Sequence, residues 1–376
     1  MFMSTVDKPQ LPTEPAGGSL VRKKVFVGMS GGVDSSVAAL LLHGEGHDVT
    51  GVFIKVWQPD FIPCTAEDDR KDAMRVAARL GIPFQTFNFE KEYKTAVIDY
   101  LIAEYKAGRT PNPDVMCNRE IKFGAFLREA KRQGADAIAT GHYARIHESG
   151  PRSQESQFHL LAGIDKNKDQ SYFLYTLGQD ELAHTLFPIG EYTKLQVRAI
   201  AEKAGLPTAQ KKDSQGLCFI GKLDMKEFLA RFLPRAEGAV QDRNGKIIGT
   251  HDGSHYYTVG QRHGFAVRAE SASQSPYYVV AKDSATNTLT VSHTPSQKTD
   301  GAVTLQSVSW TSAIPQSNRK YTARMRYRQP LMPCFVHAGK ANNARVQFLK
   351  SPGLIPSGQA LVVYDGTECI GGGTIR

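Results

Sequence analysis

The chain has 376 residues, a formal net charge of +9 and a hydrophobic content of 41%. This length allows two or three domains with separate cores, and no apolar run in the sequence is long enough to span a membrane, so we expect a protein without a membrane partner. Its five cysteines include no Cys-x-x-Cys pair and suggest neither a zinc site nor a secreted disulfide framework. We therefore expect a reducing, cytoplasmic setting and no metal-ligating residues.

Apolar strands alternate with amphipathic helices in the first half of the chain. Residues 1–20, which contain several Pro and Gly and no apolar segment, are expected to form a disordered tail. The predicted strands are Lys24–Gly28, Val49–Trp57, Phe84–Phe89 and Ala135–Thr140, and the helices between them include one from Asp34, one over Ala66–Leu80 and one over Glu90–Lys106. This alternation predicts a domain over 21–222 with a parallel sheet, whose ligands bind at the carboxyl ends of the strands.

A glycine-rich turn, Gly28 to Ser36, joins the first strand to the first helix. Small residues let an anion approach the backbone, and the start of a helix directs free N–H groups at it. The turn has neither the Walker nor the Rossmann glycine spacing. Gly216 to Lys222 does fit the Walker spacing, but Leu223 stands where a metal-binding hydroxyl is needed, so we reject it. The first turn is the candidate site for nucleotide phosphates.

Two later segments contain the cysteines of most interest. In the loop from Gly108 to Asn118, composition alone favours structural roles, with Asp114 as a helix cap and Cys117 as a buried thiol. Cys218 instead follows Lys211 and Lys212 and precedes Lys222. Such a cationic setting lowers a thiol pKa and favours thiolate, which makes Cys218 the better candidate nucleophile or sulfur carrier.

Two further patterns precede the Cys218 segment. The polar run from Asp165 to Tyr172 is either a surface loop or a contact for a polar partner. Thr193 and Gln196 have the spacing of a capping box, which predicts a helix over Lys194–Lys203.

The composition changes after Leu233-Pro234. Asn244-Gly245 and Asp252-Gly253 predict turns between short strands in a small central domain over 223–285. From about residue 277 onward the pattern is all-β, with predicted strands Tyr277–Ala281, Thr288–Val291, Thr322–Arg328, Arg345–Phe348 and Ala360–Tyr364. Residues 286–376 are expected to form the last domain, which is barrel-like.

The last domain carries most of the excess charge. Residues 286–376 contain ten Lys and Arg against three acidic residues, a net charge of +7. Alternation along the predicted strand Thr322–Arg328 places Arg324, Arg326 and Arg328 on one face, where they could contact phosphates. The charge alone leaves two interpretations open, a nucleic-acid partner or a solvated surface.

The glycine turn and these later segments together resemble a known family. Ser30 to Ser35 resembles the pyrophosphate loop of ATP pyrophosphatases, which cleave ATP between its α- and β-phosphates. Nearly all of residues 22–376 resemble the bacterial-type tRNA-specific 2-thiouridylases, the MnmA family. The segments that carry this resemblance are Gly28–Ser35, Gly108–Cys117, Gly141–Tyr143, Lys168–Tyr172, Gly216–Gly221, Thr258–Arg262, Arg326–Gln329, Gly358-Gln359 and Gly371–Gly373.

The resemblance implies a sulfurtransferase, a tRNA-uridine 2-sulfurtransferase that replaces O2 of the wobble uridine, U34, with sulfur. It implies use of ATP and Mg²⁺ with release of AMP and pyrophosphate. It also implies an α/β fold: an N-terminal Rossmann-like domain of the adenine-nucleotide alpha hydrolase type, a small central domain and a C-terminal β-barrel-like domain that binds tRNA. The implied partners are the tRNAs for Glu, Gln and Lys, and a cysteine desulfurase or persulfide relay protein.

Site residues carry over from the resemblance by position. The implied ATP-binding residues are Gly28, Met29, Ser30, Gly31, Gly32, Val33, Asp34, Ser35, Ile54 and Gly141. Ile54 stands where relatives often have Met, which leaves an apolar wall for adenine. The implied tRNA contacts are Asn112, Pro113 and Asp114 at the target base, and His142, Lys168, Asp169, Gln170, Arg326, Tyr327 and Gln359 elsewhere.

The implied catalytic residues are Cys218, which carries the persulfide, its partner thiol Cys117, and Asp114 as general acid or base or as the group that orients the base. Two sulfur routes stay open. The persulfide can attack the activated base directly, or Cys117 can release hydrosulfide from it and leave a Cys117–Cys218 disulfide.

Three alternative functions lack sulfur transfer. A pyrophosphate-loop synthetase acting on a small carboxylate would form AMP without tRNA. A nucleotide-regulated RNA-binding protein would release no pyrophosphate. A redox switch built on Cys117 and Cys218 would respond to disulfide state without placing sulfur in RNA.

Overall fold

The computed structural model describes residues 21–61, 66–150, 156–213, 218, 224–267, 275–295 and 300–376. The described residues form two compact units. Those within Met1–Lys94 and Cys117–Gly221 belong to the first, and those within Thr95–Met116 and Lys222–Arg376 belong to the second. The predicted tail over 1–20 lies outside the described residues, and the predicted domain boundaries stay a prediction.

The first unit is built on the predicted parallel sheet. Its strands are β1 (Lys24–Gly28), β2 (Asp48–Lys55), β3 (Phe84–Asn88), β4 (Ala137–Ala139), β5 (Ala144–Ser149), β6 (Gln157–Ala162) and β7 (Thr185–Leu186). The sheet has the order β3-β2-β1-β4-β7 with parallel pairing throughout, while β5 and β6 form an antiparallel hairpin. Successive residues of the central strand β1, from Val25 to Val27, are all buried, as expected for a parallel sheet covered on both faces.

The helices of the described residues follow the predicted pattern, except that π-helical turns interrupt the helical segments at two places. They are α1 (Val33–Gly44), α2 (Ala66–Leu80), α3 (Glu90–Tyr93), α4 (Tyr100–Lys106), α5 (Pro113–Met116), α6 (Leu127–Arg132), α7 (Gln179–Ala183), α8 (Lys194–Lys203) and α9 (Met225–Leu229). Wider π-helical turns connect α3 to α4 over Lys94–Asp99 and α5 to α6 over Cys117–Phe126. Short 3₁₀ turns lie at Ser171–Phe173 and Ser254–Tyr256.

The predicted helix starts can be compared with the observed ones. Thr193 and Gln196 form the predicted capping box, since the Thr193 hydroxyl accepts from the Gln196 N–H at 3.3 Å and the Gln196 side chain accepts from the Thr193 N–H at 2.8 Å. Thr65 and Asp68 also have capping-box spacing at the start of α2, but Thr65 lies outside the described residues. Asp114 is not a helix cap, because it lies inside α5; the side-chain oxygen of Asn112 accepts from the Val115 N–H at 3.3 Å instead.

The second unit contains two β structures. Its strands are β8 (Gly238–Gln241), β9 (Ile247–His251), β10 (Ala266–Val267), β11 (Tyr278–Asp283), β12 (Thr288–Ser292), β13 (Ala302–Trp310), β14 (Lys320–Arg324), β15 (Met332–Ala338), β16 (Ala344–Phe348), β17 (Ala360–Asp365) and β18 (Glu368–Ile375). The first structure has the order β10-β9-β8-β12-β11. The second has the order β13-β16-β15-β14-β17-β18 and closes into a barrel, because β13 also pairs with β18.

The predicted arginine row is wrong. Strand β14 ends at Arg324, so alternation does not continue to Arg326 and Arg328. The buried Arg324 donates to the Tyr364 hydroxyl at 2.7 Å, and the backbone of Arg328 turns to a φ of +62°. A buried guanidinium that is bonded to Tyr364 supports the fold and does not present itself to a phosphate.

Among the described residues, no helix combines the length and apolar composition that crossing a bilayer requires. Each unit has its own hydrophobic core. In the first unit it lies between the sheet and the helices, and in the second it lies inside the barrel.

The barrel core gives a stability prediction. Leu361 on β17 is fully buried, whereas Leu349 beyond β16 is 49% exposed. We expect Leu361→Ala to lower the free energy of unfolding of the second unit by about 2–5 kcal/mol, because the lost contacts leave a cavity. Leu349→Ala should change it by less than about 0.5 kcal/mol. Urea denaturation followed by circular dichroism measures both, and equal effects would contradict this picture of the core.

Candidate nucleotide and thiol site

The glycine turn between β1 and α1 presents backbone N–H groups at the end of the sheet. The helix begins at Val33 after Gly32, whose position carries no side-chain cap. Because the first N–H groups of an α-helix have no acceptor within the helix, those at the start of α1 are available to an anion. Gly31 has a φ of +72°, and a Cβ there would lie 2.3 Å from the backbone oxygen of Asp69 in α2. The turn therefore requires glycine at this position.

Serine hydroxyls surround the same turn, and they divide into two kinds. The hydroxyls of Ser30 and Ser35 lie 3.3 Å apart, and Ser30 is exposed. Ser36 is fully buried; its hydroxyl donates to the Gly32 carbonyl at 2.8 Å and accepts from Thr208 at 2.9 Å. Ser35 is also buried, and its hydroxyl donates to the same Gly32 carbonyl at 3.2 Å. Ser30 is thus placed to donate to a phosphate, while Ser35 and Ser36 hold the turn.

The other predicted ATP-binding residues lie next to this turn. A Cβ on Gly141, which follows β4, would lie 2.6 Å from the Ser35 nitrogen. A Cβ on Gly28 would lie 3.9 Å from Cδ1 of Ile54, a buried residue near the end of β2. The structure thus brings together the ends of β1, β2 and β4, as predicted for a nucleotide site in a parallel sheet.

The sequence did not predict the ion pairs around Asp34. The carboxylate of Asp34 accepts from the Tyr143 hydroxyl at 2.7 Å and from Nζ of Lys194 at 2.8 and 2.9 Å. Burial and the neighbouring Asp34 raise the pKa of Tyr143, which keeps its hydroxyl a donor. Lys194 also contacts Asp213 at 2.7 Å. The only sequence signal for Lys194 was its place at the start of a capped helix.

Cys117 and Cys218 both belong to the first unit, and Tyr93 lies near each of their segments. Cys117 is fully buried at the start of the π-helical turns over Cys117–Phe126, and Cys218 is half-buried. Helix α3, which contains Tyr93, packs against those turns. The Tyr93 hydroxyl donates to the Cys218 carbonyl at 2.8 Å. The roles predicted for the two thiols stay a prediction.

The cationic setting predicted for Cys218 is changed by the ion pairs of Lys211. Its ammonium contacts Asp69 and Asp72, each at 2.7 Å. Burial alone would lower the pKa of Lys211, but these carboxylates raise it overall. Since its charge is compensated, Lys211 is not the expected source of a lower Cys218 pKa. Lys212 is exposed, and Lys222 lies outside the described residues.

In the second unit, the predicted base-contacting loop is held by two other predicted segments. Nε2 of Gln359 donates to the carbonyls of Thr110 and Pro111, each at 3.1 Å. The hydroxyls of Thr110 and Thr258 lie 3.2 Å apart. The exposed Arg326 donates to the Val259 carbonyl at 2.9 Å. The structure therefore brings together the loop before Asn112, the segment around Thr258, Arg326 and Gln359.

Other predicted tRNA contacts are engaged inside the first unit. His142 is buried, its Nδ1 lies 2.7 Å from the Thr140 hydroxyl, and burial together with the nearby Lys122 lowers its pKa well below the ordinary value. The buried Asp169 accepts from the N–H groups of Gly163 at 3.2 Å and Ser171 at 3.0 Å. Their side chains shape the site from within, and a direct contact with RNA stays a prediction.

Lys168 and Gln170, on either side of Asp169, are also bound within the unit. Lys168 Nζ contacts Asp213 at 2.5 Å. The Gln170 side chain accepts from the Tyr143 N–H at 3.0 Å.

Family models match most of the chain. A model described as a tRNA methyl transferase HUP domain matches residues 23–222, one described as a tRNA methyl transferase PRC-barrel domain matches 226–293, and one described as an aminomethyltransferase beta-barrel domain matches 300–375.

The chain is also similar to curated proteins along most of its length. It is 48% identical over 360 residues to a tRNA-specific 2-thiouridylase of Enterococcus faecalis, covering 94% of this chain and 95% of that protein. It is 48% identical to one from Geobacillus thermodenitrificans, covering 94% of each. A solved U34-tRNA thiolase from Methanococcus maripaludis is 17% identical with a TM-score of 0.36, covering 56% of this chain and 65% of that one.

These matches cover almost the whole chain at nearly half identity. The phosphate loop and the two cysteine segments agree with them. The chain belongs to the tRNA-specific 2-thiouridylases.

Proposed function

We propose that this protein is an ATP-dependent tRNA 2-thiouridylase, which replaces O2 of the wobble uridine with sulfur. The observation that carries this proposal is that the anion cradle at the start of α1 and Cys218 belong to one unit, and that ion pairs through Lys194 join Asp34 of the cradle to Asp213, five positions before Cys218. Family membership supplies the reaction class. The phosphate loop and the thiol segment supply the two chemical functions that the reaction needs.

The phosphate loop acts in the activation step. A carbonyl oxygen is a poor leaving group, and transfer of the adenylyl group of ATP to it makes AMP the leaving group. The N–H groups at the start of α1 and the exposed hydroxyl of Ser30 bind the phosphates and stabilise the departing pyrophosphate. Ile54 and Gly141 border the space for the adenosine.

The thiols act in the sulfur step. The terminal sulfur of a Cys218 persulfide attacks C2 of the activated base, and AMP leaves. The Cys117 thiolate then attacks Sγ of Cys218, which leaves sulfur on the base and forms a Cys117–Cys218 disulfide that an external thiol reduces. In the other route Cys117 attacks the persulfide first and releases hydrosulfide, which attacks C2. Asp114 orients the base or exchanges its proton.

The side chains around the phosphate loop are compatible with a Mg²⁺ ion whose ligands come mainly from the phosphates of ATP and from water. Both carboxylate oxygens of Asp34 are engaged by Lys194, and one of them also by Tyr143, so this carboxylate is not a ready-made ligand cage. Mg²⁺ commonly keeps several waters and takes its remaining ligands from substrate phosphates. When bound with ATP, the ion supplies neutralisation of phosphate charge.

The proposed partners follow from the same function. The substrates are the tRNAs for Glu, Gln and Lys, and the sulfur comes from a cysteine desulfurase or a persulfide relay protein in the cytoplasm. The net charge of +7 on residues 286–376 and the exposed Arg326 support tRNA binding by the second unit, because cations there lower the free energy of a bound phosphate backbone.

The first prediction tests the reaction itself. The full chain, incubated with tRNA, ATP, Mg²⁺ and a persulfide donor, should give nucleosides whose mass increases by the exchange of oxygen for sulfur at the wobble uridine. Nucleoside mass spectrometry separates this from a methyl addition, which the wording of the family models suggests. A mass gain of one methyl group, or AMP formed equally without tRNA, would contradict the proposal.

The second prediction concerns the thiols. Cys218→Ala should abolish thiolation, because the persulfide has no carrier, and Cys117→Ala should reduce it at least about 100-fold in multiple turnover. The matched control is Cys334→Ala in the barrel, a buried thiol whose pKa is raised to about 12 by burial. It should retain activity. Thiolation by either single variant at the wild-type rate would exclude that cysteine from the reaction.

The third prediction concerns the phosphate loop. Gly31→Ala should raise KM for ATP about tenfold or more, because its Cβ would meet the Asp69 backbone and displace the N–H donors. The control Gly46→Ala has a similar φ of +84° but nothing within 4 Å. It should cost about 1–2 kcal/mol of stability without a change in KM. The rate of pyrophosphate release as a function of ATP concentration gives KM for each variant. Equal KM values for the two variants would contradict the assignment of this turn as the phosphate loop.

A further inference from the structure

The segment Lys211–Asp213, which leads to Cys218, is held at both ends by ion pairs that extend to the phosphate loop. We call these three residues the leading segment. Its first residue, Lys211, contacts carboxylates of α2, and its last, Asp213, contacts cations beside α1. The chain that presents the thiol is therefore attached to the elements that bind the nucleotide.

The contact at Asp213 runs through a single ammonium group. Nζ of Lys194 bonds Oδ1 and Oδ2 of Asp34 at 2.8 and 2.9 Å and Oδ1 of Asp213 at 2.7 Å. Asp34 is the second residue of α1, at the start of the anion cradle. The Lys194 side chain is only 12% exposed, so little water screens these contacts.

Asp213 has other cations that can hold it when Lys194 moves. Nζ of Lys168 lies 2.5 Å from Oδ2, and Nη2 of Arg198 lies 2.8 Å from Oδ1. Burial would raise the pKa of Asp213, but hydrogen bonds from Lys168 and Lys194 lower it to about 2. The carboxylate stays charged, and losing one of its cations does not leave it unpaired.

The contact at Lys211 reaches the loop by a second path. Its ammonium contacts Asp69 and Asp72 at 2.7 Å each. The backbone oxygen of Asp69 is the atom that a Cβ on Gly31 would meet. Asp69 therefore lies between the phosphate loop and the first residue of the leading segment.

Lys194 is not needed to form its own helix. The capping box of Thr193 and Gln196 begins α8, and Val197 and Ala201 bury its apolar face. The next residue, Leu195, is 81% exposed. The helix therefore does not depend on the ammonium of Lys194, whose contacts are the ion pairs with Asp34 and Asp213.

We propose that Lys194 is a positioning residue that couples nucleotide occupancy of the phosphate loop to the position of Cys218. The proposal rests on the proposed function, from which it takes ATP and the thiol. Phosphates arriving at the start of α1 bring negative charge beside Asp34 and attract the ammonium. Its hold on Asp213 weakens, the carboxylate shifts toward Lys168 and Arg198, which retain it, and the leading segment moves the thiol with it. Sulfur transfer is thereby restricted to the state in which ATP is present to activate the base.

The test measures the reactivity of Cys218 with iodoacetamide in the full chain, without tRNA, by mass spectrometry of the Cys218 peptide. The rate is compared with and without a saturating non-hydrolysable α,β-methylene ATP analogue and Mg²⁺. In the wild type we expect the analogue to change the rate about fivefold or more. In Lys194→Met the rate should not respond to the analogue, while Lys194→Arg should restore the response.

The matched control is Lys131→Met, because Lys131 on α6 also pairs with an aspartate, Asp180, at 3.3 Å but on the surface. It should keep the wild-type response. Saturation by the analogue is checked by a binding titration for each variant. If Lys194→Met does not fold or does not bind the analogue, Asp213→Asn removes the other end of the same contact and should also abolish the response.

A wild-type rate that ignores the analogue, or a variant at Lys194 or Asp213 that binds it and keeps the full response, would overturn the coupling. Neither result would affect thiolation of tRNA by the wild type. Failure of that thiolation would instead refute the proposed function, so the two failures are distinguishable.

Discussion

The first unit depends on two close approaches of backbone to backbone around the start of α1. Gly31 lies against the carbonyl of Asp69, and Gly141 lies against the nitrogen of Ser35. Neither position has room for a Cβ, so α2 and the end of β4 are fixed relative to the helix start. This constraint makes the free N–H groups a rigid cradle, and rigid donors stabilise developing charge without paying for reorganisation.

Much of the fold could be predicted because it is encoded in local patterns. Strand β1 and helices α2 and α8 have the predicted bounds, since apolar periodicity and capping residues act within a few positions. The predicted strand Thr322–Arg328 is present but ends at Arg324, because alternation of side chains cannot show where a strand stops. Arg324 is buried and donates to Tyr364, a residue 40 positions away. The π-helical turns at Lys94–Asp99 and Cys117–Phe126 likewise have no signal in residue periodicity.

Some residues of the candidate site could likewise be predicted from the sequence, and others could not. The phosphate loop follows from glycine spacing and from the rule that ligands bind at strand ends, and the structure brings its predicted neighbours Ile54 and Gly141 to it. The contacts of Lys194 with Asp34 and Asp213 could not be predicted, because charged residues far apart in sequence show no common pattern. Burial of Asp169 was also missed, since it lies in a polar run that looks like surface, and burial of His142 was missed because the sequence suggested it only as a tRNA contact.

The unequal exposure of the two thiols bears on how sulfur enters. Cys117 has no exposed surface, whereas Cys218 is half-buried and lies five positions beyond Asp213, the last residue of the ion-paired leading segment. A donor protein must bring its persulfide into contact with the acceptor sulfur, because exchange proceeds by direct attack. Of the two, only Cys218 can be reached without opening the core. Cys117 is then suited to the later attack, on a sulfur that has already been carried inside. Under the proposed function, the order of the two thiols follows from burial, with the ion-paired segment as the part that has to move.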